Sequence, residues 1–499
     1  MDTVRIRTGR SVLDARVVDR FDAWDLRDRC RDQVSLALDQ TNIDHLTLDA
    51  VGGEPHRIIV SATDAHRVAD AMTSGDTEGH LHFARVPRPG RWAARPMSTL
   101  SSVRPDDVLR IFSSQISRAG RLLPTWPLGV DVEIWERITA PRPSPDGPVL
   151  PTGTLLAPRT NAYTRSLPPA SLREQPCTRA SIPLEQVAFP IDIVYTWVDA
   201  DDPAWQAAFT TARRDGAPAT SHTSAWSPSR FTSREELRYS LRSIAAFASW
   251  VRTIHIVTNG QVPPWLDTNH PQIRMVRHDE IFPDPSHLPT FNSHAIEANL
   301  HRIPGLADHY LYFNDDVFLA RPLRPEHFFT ASGLLRYFPS MIPVEDGEPD
   351  PADLPVVAAF KNGRRIIEDR FGRRPMARPR HTPHPQRRDV LAEIDQACPE
   401  VVRRTSASRF RQPSDISLAA QLQASWASAT GRAIAADTQY EFIDIGDPSS
   451  DRRIDRMLVR SDLDCFCLNE TDTDHPDLAH RRVDRIVTTL LPFTSPYER

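Results

Sequence analysis

The stretch PIDIVYTWVD, Pro190 to Asp199, decides the fold of this chain. It is a short apolar run rich in isoleucine, valine and aromatic residues, which predicts a buried β-strand. The run ends at an acidic residue, and a later run, LYFNDD from Leu311 to Asp316, ends in the same way. The two runs therefore predict buried strands that each deliver carboxylates at the carboxyl end.

Strand and helix patterns alternate around these two runs. The apolar spacing predicts further strands at 253–258 and 273–276, a final strand at 309–313, and helices at 234–247 and 292–300. Such alternation predicts an α/β fold with a parallel-type sheet. In sheets of this type, ligands bind beyond the carboxyl ends of the strands.

Three aspartates, Asp199, Asp315 and Asp316, follow these predicted strands. A carboxylate at the end of a buried strand is held on a rigid support at the crevice where substrates bind. Two adjacent carboxylates can also hold a hard divalent cation against phosphate oxygens. Aspartates cap helices and stabilise turns as well, so the motif alone leaves a structural and a functional interpretation open.

The chain before this region carries no chemical motif. Mixed helix and strand patterns predict a small accessory α+β domain over residues 1–139. Residues 140–182 are rich in proline, which predicts a linker without regular structure. The main domain then covers residues 183–499, and we expect the catalytic residues to lie there.

Composition excludes several classes of function. The net charge of −5 argues against a nucleic-acid partner, because proteins that bind a phosphate backbone concentrate positive charge. Lys361 is the only lysine, so nearly all cationic chemistry falls to arginine. No apolar stretch approaches the roughly 20 residues that span a bilayer, and the cysteines are few and scattered. We therefore expect a cytoplasmic protein, with peripheral association at the inner face of the plasma membrane as an alternative and the oligomeric state left open.

Four segments resemble, in order and wording, the signature regions of the Stealth family of sugar-phosphate transferases. That family includes bacterial capsule polysaccharide phosphotransferases and the animal enzyme that makes the mannose 6-phosphate lysosomal tag. The segments lie near 191–205, 230–330, 381–394 and 465–499, around the cores IDIVYTWVD, ELRYSLRS, HTPHP and CLN. One departure is Glu470, which stands where the family commonly has aspartate, so no role is transferred to it.

The resemblance implies a fold and a catalytic set. The fold is a Rossmann-like nucleotide-sugar transferase core of the GT-A-like type, beside the separate N-terminal α+β domain. Asp315 and Asp316 are implied to hold Mg²⁺ or Mn²⁺ and to activate the acceptor hydroxyl, in a division that stays open. His381 is implied as an acid, a base or a donor to phosphate oxygen. Arg411 is implied as a bidentate clamp on the diphosphate.

The same resemblance implies a set of substrate-binding residues, namely Trp197, Val198, Asp199, Arg238, Arg242, Asn292, Glu297, Asn314 and His384. Plainer alternatives stay open for several of them. Trp197 could belong to the core, and His384 could pack or orient its neighbours. Arg238 and Arg242 could form ion pairs within their helix, and Asn292 could cap a helix.

The function implied is transfer of a hexose 1-phosphate, such as N-acetylhexosamine 1-phosphate, from a UDP-sugar to a carbohydrate hydroxyl. The products would be a phosphodiester and UMP, in capsular or exopolysaccharide synthesis. An ordinary glycosyltransferase would use the same strand-end acids but would release UDP. A non-catalytic carbohydrate-binding protein is the alternative from a different class.

Overall fold

The computed structural model describes residues 2–8, 11–50, 54–86, 93–144, 147–159, 165–168, 172, 183–216, 230–470 and 476–499. The chain divides into two compact units, Met1–Gln186 and Val187–Arg499. Among the described residues, no helix combines the length and the apolar composition that spanning a bilayer requires. The whole is a mixed α/β structure, as the alternating pattern predicts.

The first unit combines two helices with short strands. The helices are α1 (Ala23–Gln40) and α2 (Ala65–Gly75). The strands are β1 (Thr3–Thr8), β2 (Ser11–Val18), β3 (His45–Leu48), β4 (His56–Ser61), β5 (Leu81–Arg85), β6 (Arg95–Pro96), β7 (Val108–Ser113), β8 (Gln115–Ser117), β9 (Val130–Arg137), β10 (Arg142–Ser144), β11 (Gly147–Leu150), β12 (Leu155–Leu156) and β13 (Ser166–Leu167).

The core of the first unit lies between the helices and a sheet. Val34, Leu38 and Met72 from the helices pack against Ile58 of β4 and Val132 of β9. The main path of this sheet runs β13-β12-β9-β7-β5-β6, and β4 pairs with β3 and β9 beside it. The helices and most of these strands confirm the mixed pattern of the first domain.

The prediction that residues 140–182 hold no regular structure is wrong for part of the segment. β10 and β11 form an antiparallel pair, and β12 extends the sheet by pairing with β9. Leu155 is fully buried against Trp135, which explains why this proline-rich segment is held to the first unit. Residues 160–164, 169–171 and 173–182 of the segment lie outside the described residues.

The second unit alternates strands and helices through most of its length. Its strands are β14 (Ile191–Thr196), β15 (Ile254–Thr258), β16 (Ile273–Arg277), β17 (His309–Asn314), β18 (Val317–Leu319), β19 (Leu335–Tyr337), β20 (Pro339–Pro343), β21 (Ala377–Pro379), β22 (His384–Arg387), β23 (Ala433–Ala435), β24 (Tyr440–Asp444) and β25 (Cys465–Asn469). Its helices are α3 (Pro203–Gly216), α4 (Glu236–Phe247), α5 (His278–Ile281), α6 (Ser293–Glu297), α7 (Pro355–Phe371), α8 (Arg388–Ala397), α9 (Pro399–Ala407), α10 (Gln423–Ala429), α11 (Asp451–Leu458) and α12 (Pro476–Leu490).

One sheet organises this unit, and its strand order is β16-β15-β14-β17-β22. The first four strands are parallel, and β22 joins β17 antiparallel. These four parallel strands confirm the strands predicted from the sequence. The strands that follow β14 in the chain lie on both sides of it, β15 and β16 on one side and β17 on the other. The carboxyl ends of β14 and β17 therefore flank a topological switch point, where such sheets bind ligands.

Asp192, the second residue of β14, is a fully buried carboxylate in an otherwise apolar strand. It accepts hydrogen bonds from the Arg252 guanidinium at 2.8 and 2.6 Å, from the His255 ring at 3.2 Å and from the Ala307 backbone at 2.8 Å. A buried charge is tolerated when it is satisfied in this way. These bonds tie β14 to β15 and to the turn that leads into β17.

We predict that Asp192→Asn lowers the free energy of unfolding by about 2–3 kcal/mol, because donors are left facing a neutral group. Arg252 is 44% exposed, which keeps the loss below that of a wholly buried pair. Urea denaturation measures the change. The matched control is Asp308→Asn, whose side chain is 80% exposed and which should cost less than about 0.5 kcal/mol. Equal losses in the two variants would contradict this role of Asp192.

Candidate active site

The carboxyl ends of β14 and β17 lie side by side, because Thr196 pairs with Asn314 in the parallel register. Trp197, Val198 and Asp199 follow β14 directly, while Asp315 and Asp316 follow Asn314. The two acidic stretches predicted from the sequence therefore meet at one edge of the sheet. This edge is the topological switch point described above.

A polar cluster forms where His381 meets the end of β17. The Asn314 amide nitrogen lies 2.7 Å from Nε2 of His381, and Oδ1 of Asp316 lies 3.6 Å from the same ring nitrogen. An amide nitrogen donates, so the Asn314 amide is the donor in this hydrogen bond. Sγ of Cys467 lies 3.5 Å from Nδ1 and 3.4 Å from Oδ2 of Asp316. These contacts hold His381 and Asp316 in a fixed relation.

Three carboxylates crowd the same edge. Burial, with Glu236 and Asp316 nearby, raises the pKa of Asp315 well above its usual value. Burial also raises the pKa of Glu236 to about 7, against hydrogen bonding at the start of α4 that lowers it. The Arg234 guanidinium, which also attracts the Glu236 carboxylate, is held in an ion pair with Glu470. Burial and crowding therefore make it costly for Asp315 and Glu236 to be charged.

This donor set fits a divalent cation. Asp315 and Asp316 offer carboxylate oxygens, which are the ligands that Mg²⁺ and Mn²⁺ prefer. Oδ1 of Asp316 is buried, and no hydrogen-bond partner for it exists among the described residues. An oxygen left in that state is costly unless a ligand or an ion satisfies it. Asp316, His381 and Cys467 also have donor atoms within 4.8 Å of one another.

A positively charged region adjoins the carboxylates. The Arg411 guanidinium donates to Oγ of Ser293 at 2.7 Å, and burial lowers its pKa. Burial, with Arg411 beside it, lowers the pKa of Arg230 well below its ordinary value. Both arginines are half-buried. The Glu297 and Asp415 carboxylates lie near Arg411 and act to raise its pKa, so part of this positive charge is balanced within the protein. A diphosphate is the kind of anion that paired guanidinium groups bind.

The segment that carries Arg411 is fixed by Asn292. The Asn292 amide donates to the backbone oxygens of Ser408 and Phe410 and, at 2.8 Å, to the Asp415 carboxylate. Its oxygen accepts from the backbone of His294, so Asn292 is also the cap of α6. The cap alternative is thus confirmed, and every polar atom of the side chain is engaged. These bonds fix the backbone on both sides of Arg411, and contact of Asn292 with sugar hydroxyls stays a prediction.

Glu297 is buried in the same way. One carboxylate oxygen accepts from Oγ of Ser417 at 2.7 Å and from the backbone of Ala420 at 3.2 Å. Its side chain is 4% exposed, which leaves little surface for a sugar. The geometry supports a role in joining α6 to the segment before α10, and sugar contact by Glu297 stays an unsupported prediction.

The residues after β14 form a wall of the candidate site. Trp197 is 8% exposed, and its buried Nε1 has no hydrogen-bond partner among the described residues. Val198 packs with the aromatic cluster of Trp205 and Phe231. The Asp199 carboxylate accepts from the backbone of Asp201 at 2.9 Å and so stabilises a turn. The indole N–H of Trp197 is therefore available to donate a hydrogen bond to a ligand. Contact of Trp197, Val198 and Asp199 with a nucleotide stays a prediction.

Arg238 and Arg242 are engaged elsewhere. Both guanidinium groups bind the carboxylate of Glu498, at distances of 2.7 and 2.8 Å, and Arg238 also pairs with Glu235. Despite its burial, these bonds lower the pKa of Glu498 to about 2. The predicted local ion pair is present for Arg238, whereas Arg242 pairs with Glu498, a partner that the sequence did not indicate. Contact of either arginine with substrate stays a prediction. They hold the C-terminal segment against α4.

His384 lies in the sheet rather than at its edge. It is the first residue of β22, is 8% exposed, and stacks on Tyr312 of β17 at 6.3 Å between ring centroids. Burial, with His381 nearby, lowers its pKa to about 3, so the ring is neutral at ordinary pH. These contacts support packing and orientation, the alternative left open for this residue.

Four residues of the site lack a sequence-based role, namely Arg230, Glu236, Cys467 and Asp415. Arg230 and Glu236 lie in the segment that resembles the second family region. That resemblance is the sequence signal that could have identified them as site residues. Cys467 alternates with Cys465 in a strand pattern, which indicated a shared face. Asp415 had no local signal. Glu235, directly before α4, has a left-handed backbone conformation with φ 64°. Few residues other than glycine adopt this conformation, and here it precedes Glu236, the first residue of α4.

We predict that Glu236→Gln stabilises the cation-free protein at pH 8. A carboxyl whose pKa rises from 4.5 to about 7 on folding costs the folded state no stability below about pH 4.5. The cost grows as the pH rises to 7 and remains above it. The gain at pH 8 should be at most about 3 kcal/mol, and it should vanish near pH 4. Thermal unfolding with a chelator present measures it.

Glu235→Gln is the matched control, because this neighbouring side chain is 54% exposed. It should change the unfolding temperature little at either pH. A Glu236→Gln variant that is less stable than the wild type at pH 8 would mean that the carboxylate is better satisfied than its burial indicates.

Family models match the second unit in three places. They are described as Stealth protein CR1, conserved region 1, over residues 189–215; Stealth protein CR2, conserved region 2, over 230–337; and Stealth protein CR3, conserved region 3, over 380–423. Asp315 and Asp316 lie in the second region, and His381 and Arg411 lie in the third. The fourth resemblance, near 465–499, stays a prediction.

Similar proteins extend this match over the chain. An exopolysaccharide phosphotransferase of Streptomyces coelicolor is 38% identical over 494 residues, which cover 95% of this chain and 83% of that protein. A second protein with that description in the same organism is 35% identical over 535 residues, covering 99% and 88%. An exopolysaccharide phosphotransferase of Mycobacterium tuberculosis is 36% identical over 325 residues, covering 63% and 59%. The matches to three regional models and to relatives across almost the whole chain show that it belongs to the Stealth family.

Proposed function

We propose that this chain transfers a sugar 1-phosphate from a UDP-sugar to a hydroxyl of a carbohydrate acceptor, and so builds a phosphodiester-linked extracellular polysaccharide. The observation that carries the proposal is the fixed group of Asn314, Asp316 and His381 at the switch point of the parallel sheet. Relatives described as exopolysaccharide phosphotransferases support phosphotransfer in polysaccharide synthesis. N-acetylhexosamine 1-phosphate is our candidate for the group transferred.

The fold that we propose for the second unit is a Rossmann-like core of the GT-A-like type. Its support is the order of the parallel strands, which leaves a crevice between the ends of β14 and β17. All the residues that we assign to chemistry lie in this unit. The first unit, which contributes none of them, is proposed as an accessory domain.

The reaction has a definite balance of bonds. The acceptor oxygen bonds to the phosphorus next to the sugar, and the bond from that phosphorus to the oxygen of UMP breaks. The acceptor loses its proton, and UMP leaves with the bridging oxygen. Catalysis of such a transfer depends on positioning and on stabilising charge at the phosphoryl group.

The residues of the site match these tasks. Asp316 accepts the hydroxyl proton, because Oδ1 of its carboxylate has no hydrogen-bond partner among the described residues. His381, whose Nε2 lies 3.6 Å from that oxygen, stands beside it as an acid or as a donor to phosphate oxygen. Asn314 orients the imidazole by its hydrogen bond to Nε2. Arg411 and Arg230 face the diphosphate and stabilise the charge that builds on the leaving UMP.

Asp315 and Asp316 are the residues that would hold Mg²⁺ or Mn²⁺, which supplies positive charge to phosphate oxygens when bound. The burial and crowding of the Asp315, Asp316 and Glu236 carboxyls support this assignment, because a bound cation would stabilise their charged forms. Trp197 and Asp199 would receive the base and the ribose, since an indole offers a stacking face and a buried donor.

We predict that Asp316→Asn abolishes UMP release from a UDP-sugar in the presence of Mg²⁺ and an oligosaccharide acceptor. The amide keeps the shape but loses both basicity and cation affinity, so the rate should fall by more than about 10²–10⁴-fold. The control is Asp308→Asn, which changes the residue directly before β17, and it should keep wild-type turnover. Near-normal activity of Asp316→Asn at saturating Mg²⁺ would remove this residue from the site. Release of UDP in place of UMP by the wild type would identify a glycosyltransferase.

We predict that Arg411→Lys is a poor substitute although it preserves charge. A lysine presents a compact ammonium on a flexible stem, whereas the proposed clamp needs a planar fork that meets two phosphate oxygens. The value of kcat should fall by about ten- to a hundredfold, and more than donor affinity, because the contact strengthens in the transition state. Steady-state kinetics measures both, with Arg452→Lys on the exposed side of α11 as the control. A lysine variant with wild-type kcat/KM would exclude the bidentate role.

A further inference from the structure

A cationic cleft lies beside the segment that carries Arg411. Its volume is about 590 Å³, and its lining includes Glu400, Arg403, Arg404, Arg409, Phe410 and Gln412. Pockets that hold ligands typically measure roughly 300–1,000 Å³, so the cleft is large enough for part of a glycan chain. The catalytic set described above uses none of these six residues.

The arginines of the cleft are incompletely neutralised. Arg403 pairs with Glu400 at 2.8 Å, at the surface of α9. Arg404 donates to the backbone oxygen of Ser414 at 3.1 Å and has no carboxylate partner among the described residues. The exposed Arg409 side chain makes no ion pair or hydrogen bond within the described part of the chain. Asp284 lies near enough to attract Arg403 as well, so Arg404 and Arg409 are the two guanidinium groups of the lining without a carboxylate partner among the described residues.

The cleft and the candidate active site share one chain segment. Phe410 and Gln412 line it, while Arg411 between them reaches Ser293 of α6. The backbone oxygen of Arg409 accepts from Phe291, directly before the cap of α6. The same short segment thus forms a wall of the cleft and holds the residue assigned to the diphosphate.

We propose that this cleft binds the phosphodiester-linked glycan itself, so that an acceptor already carrying phosphodiesters is held next to the site of transfer. The proposal rests on the proposed function, because that reaction makes a polymer with one negative charge per linkage. Guanidinium groups recognise phosphate oxygens with paired donors, and incompletely neutralised ones at the surface attract them. The protein would then bind its own elongated product more tightly than a neutral acceptor.

The experiment measures binding of two synthetic oligosaccharides to the full chain, one joined by phosphodiesters and one neutral but of equal length. The wild type should bind the charged probe about tenfold more tightly at low ionic strength, and the preference should shrink as salt screens the charges. Arg409→Glu should remove most of this preference. Arg409→Gln should weaken binding of the charged probe by about two- to fivefold. Arg452→Ala, which removes an exposed arginine outside the cleft, should leave binding of the charged probe unchanged.

Equal affinity of the wild type for the two oligosaccharides would overturn the proposal, and so would an Arg409→Glu variant that keeps the preference. Pyrophosphate or a short RNA that competes as well as the charged glycan would show a general anion site instead. UMP release from the UDP-sugar is measured on the same preparations with each of the two oligosaccharides as acceptor. Its absence with both acceptors would refute the proposed function, whereas the binding preference alone decides the role of the cleft.

Discussion

The parallel pairing of β14 with β17 is the constraint on which the rest of the second unit depends. It sets Thr196 beside Asn314, so that residues separated by more than a hundred positions end at one edge of the sheet. Asp192, fully buried at the start of β14, secures this arrangement by bonding to β15 and to the turn before β17. The crevice between the two strand ends is therefore a property of the fold, and the chemistry is built on it.

Charge separation within the site follows from that arrangement. Carboxylates of Glu236, Asp315 and Asp316 gather at the end of β17, and the guanidinium groups of Arg230 and Arg411 gather near α6. Burial, together with the like charges inside each group, makes it costly for the members to be charged, as the displaced pKa values of Asp315 and Arg230 show. A cation and a diphosphate together would relieve both costs. Displaced pKa values of this kind are typical of functional sites.

The sequence predicted what local patterns encode. Apolar runs that end in acids identified β14 and β17, and helical spacing identified α4, whose N-terminus brings Glu236 to the site. Contacts between distant segments had no such signal: Asn292 reaches Asp415 across 123 positions, and Cys467 reaches Asp316 across 151. The same limit explains Arg238 and Arg242, whose partner Glu498 lies near the end of the chain. The strands within the proline-rich segment were missed because strand pairing, of β10 with β11 and of β12 with β9, outweighs the local preference of proline for loops.

The central claim is that the bond broken in the donor joins phosphorus to UMP and leaves the sugar attached to its own phosphate. It can be tested with a UDP-sugar that carries a heavy oxygen isotope between the anomeric carbon and the phosphorus. Mass spectrometry of the products then locates the label. The account predicts that all of the label stays in the phosphodiester product and that the released nucleotide is unlabelled UMP. Label recovered in UDP would mean that the bond between the anomeric carbon and the labelled oxygen is broken, and would contradict it.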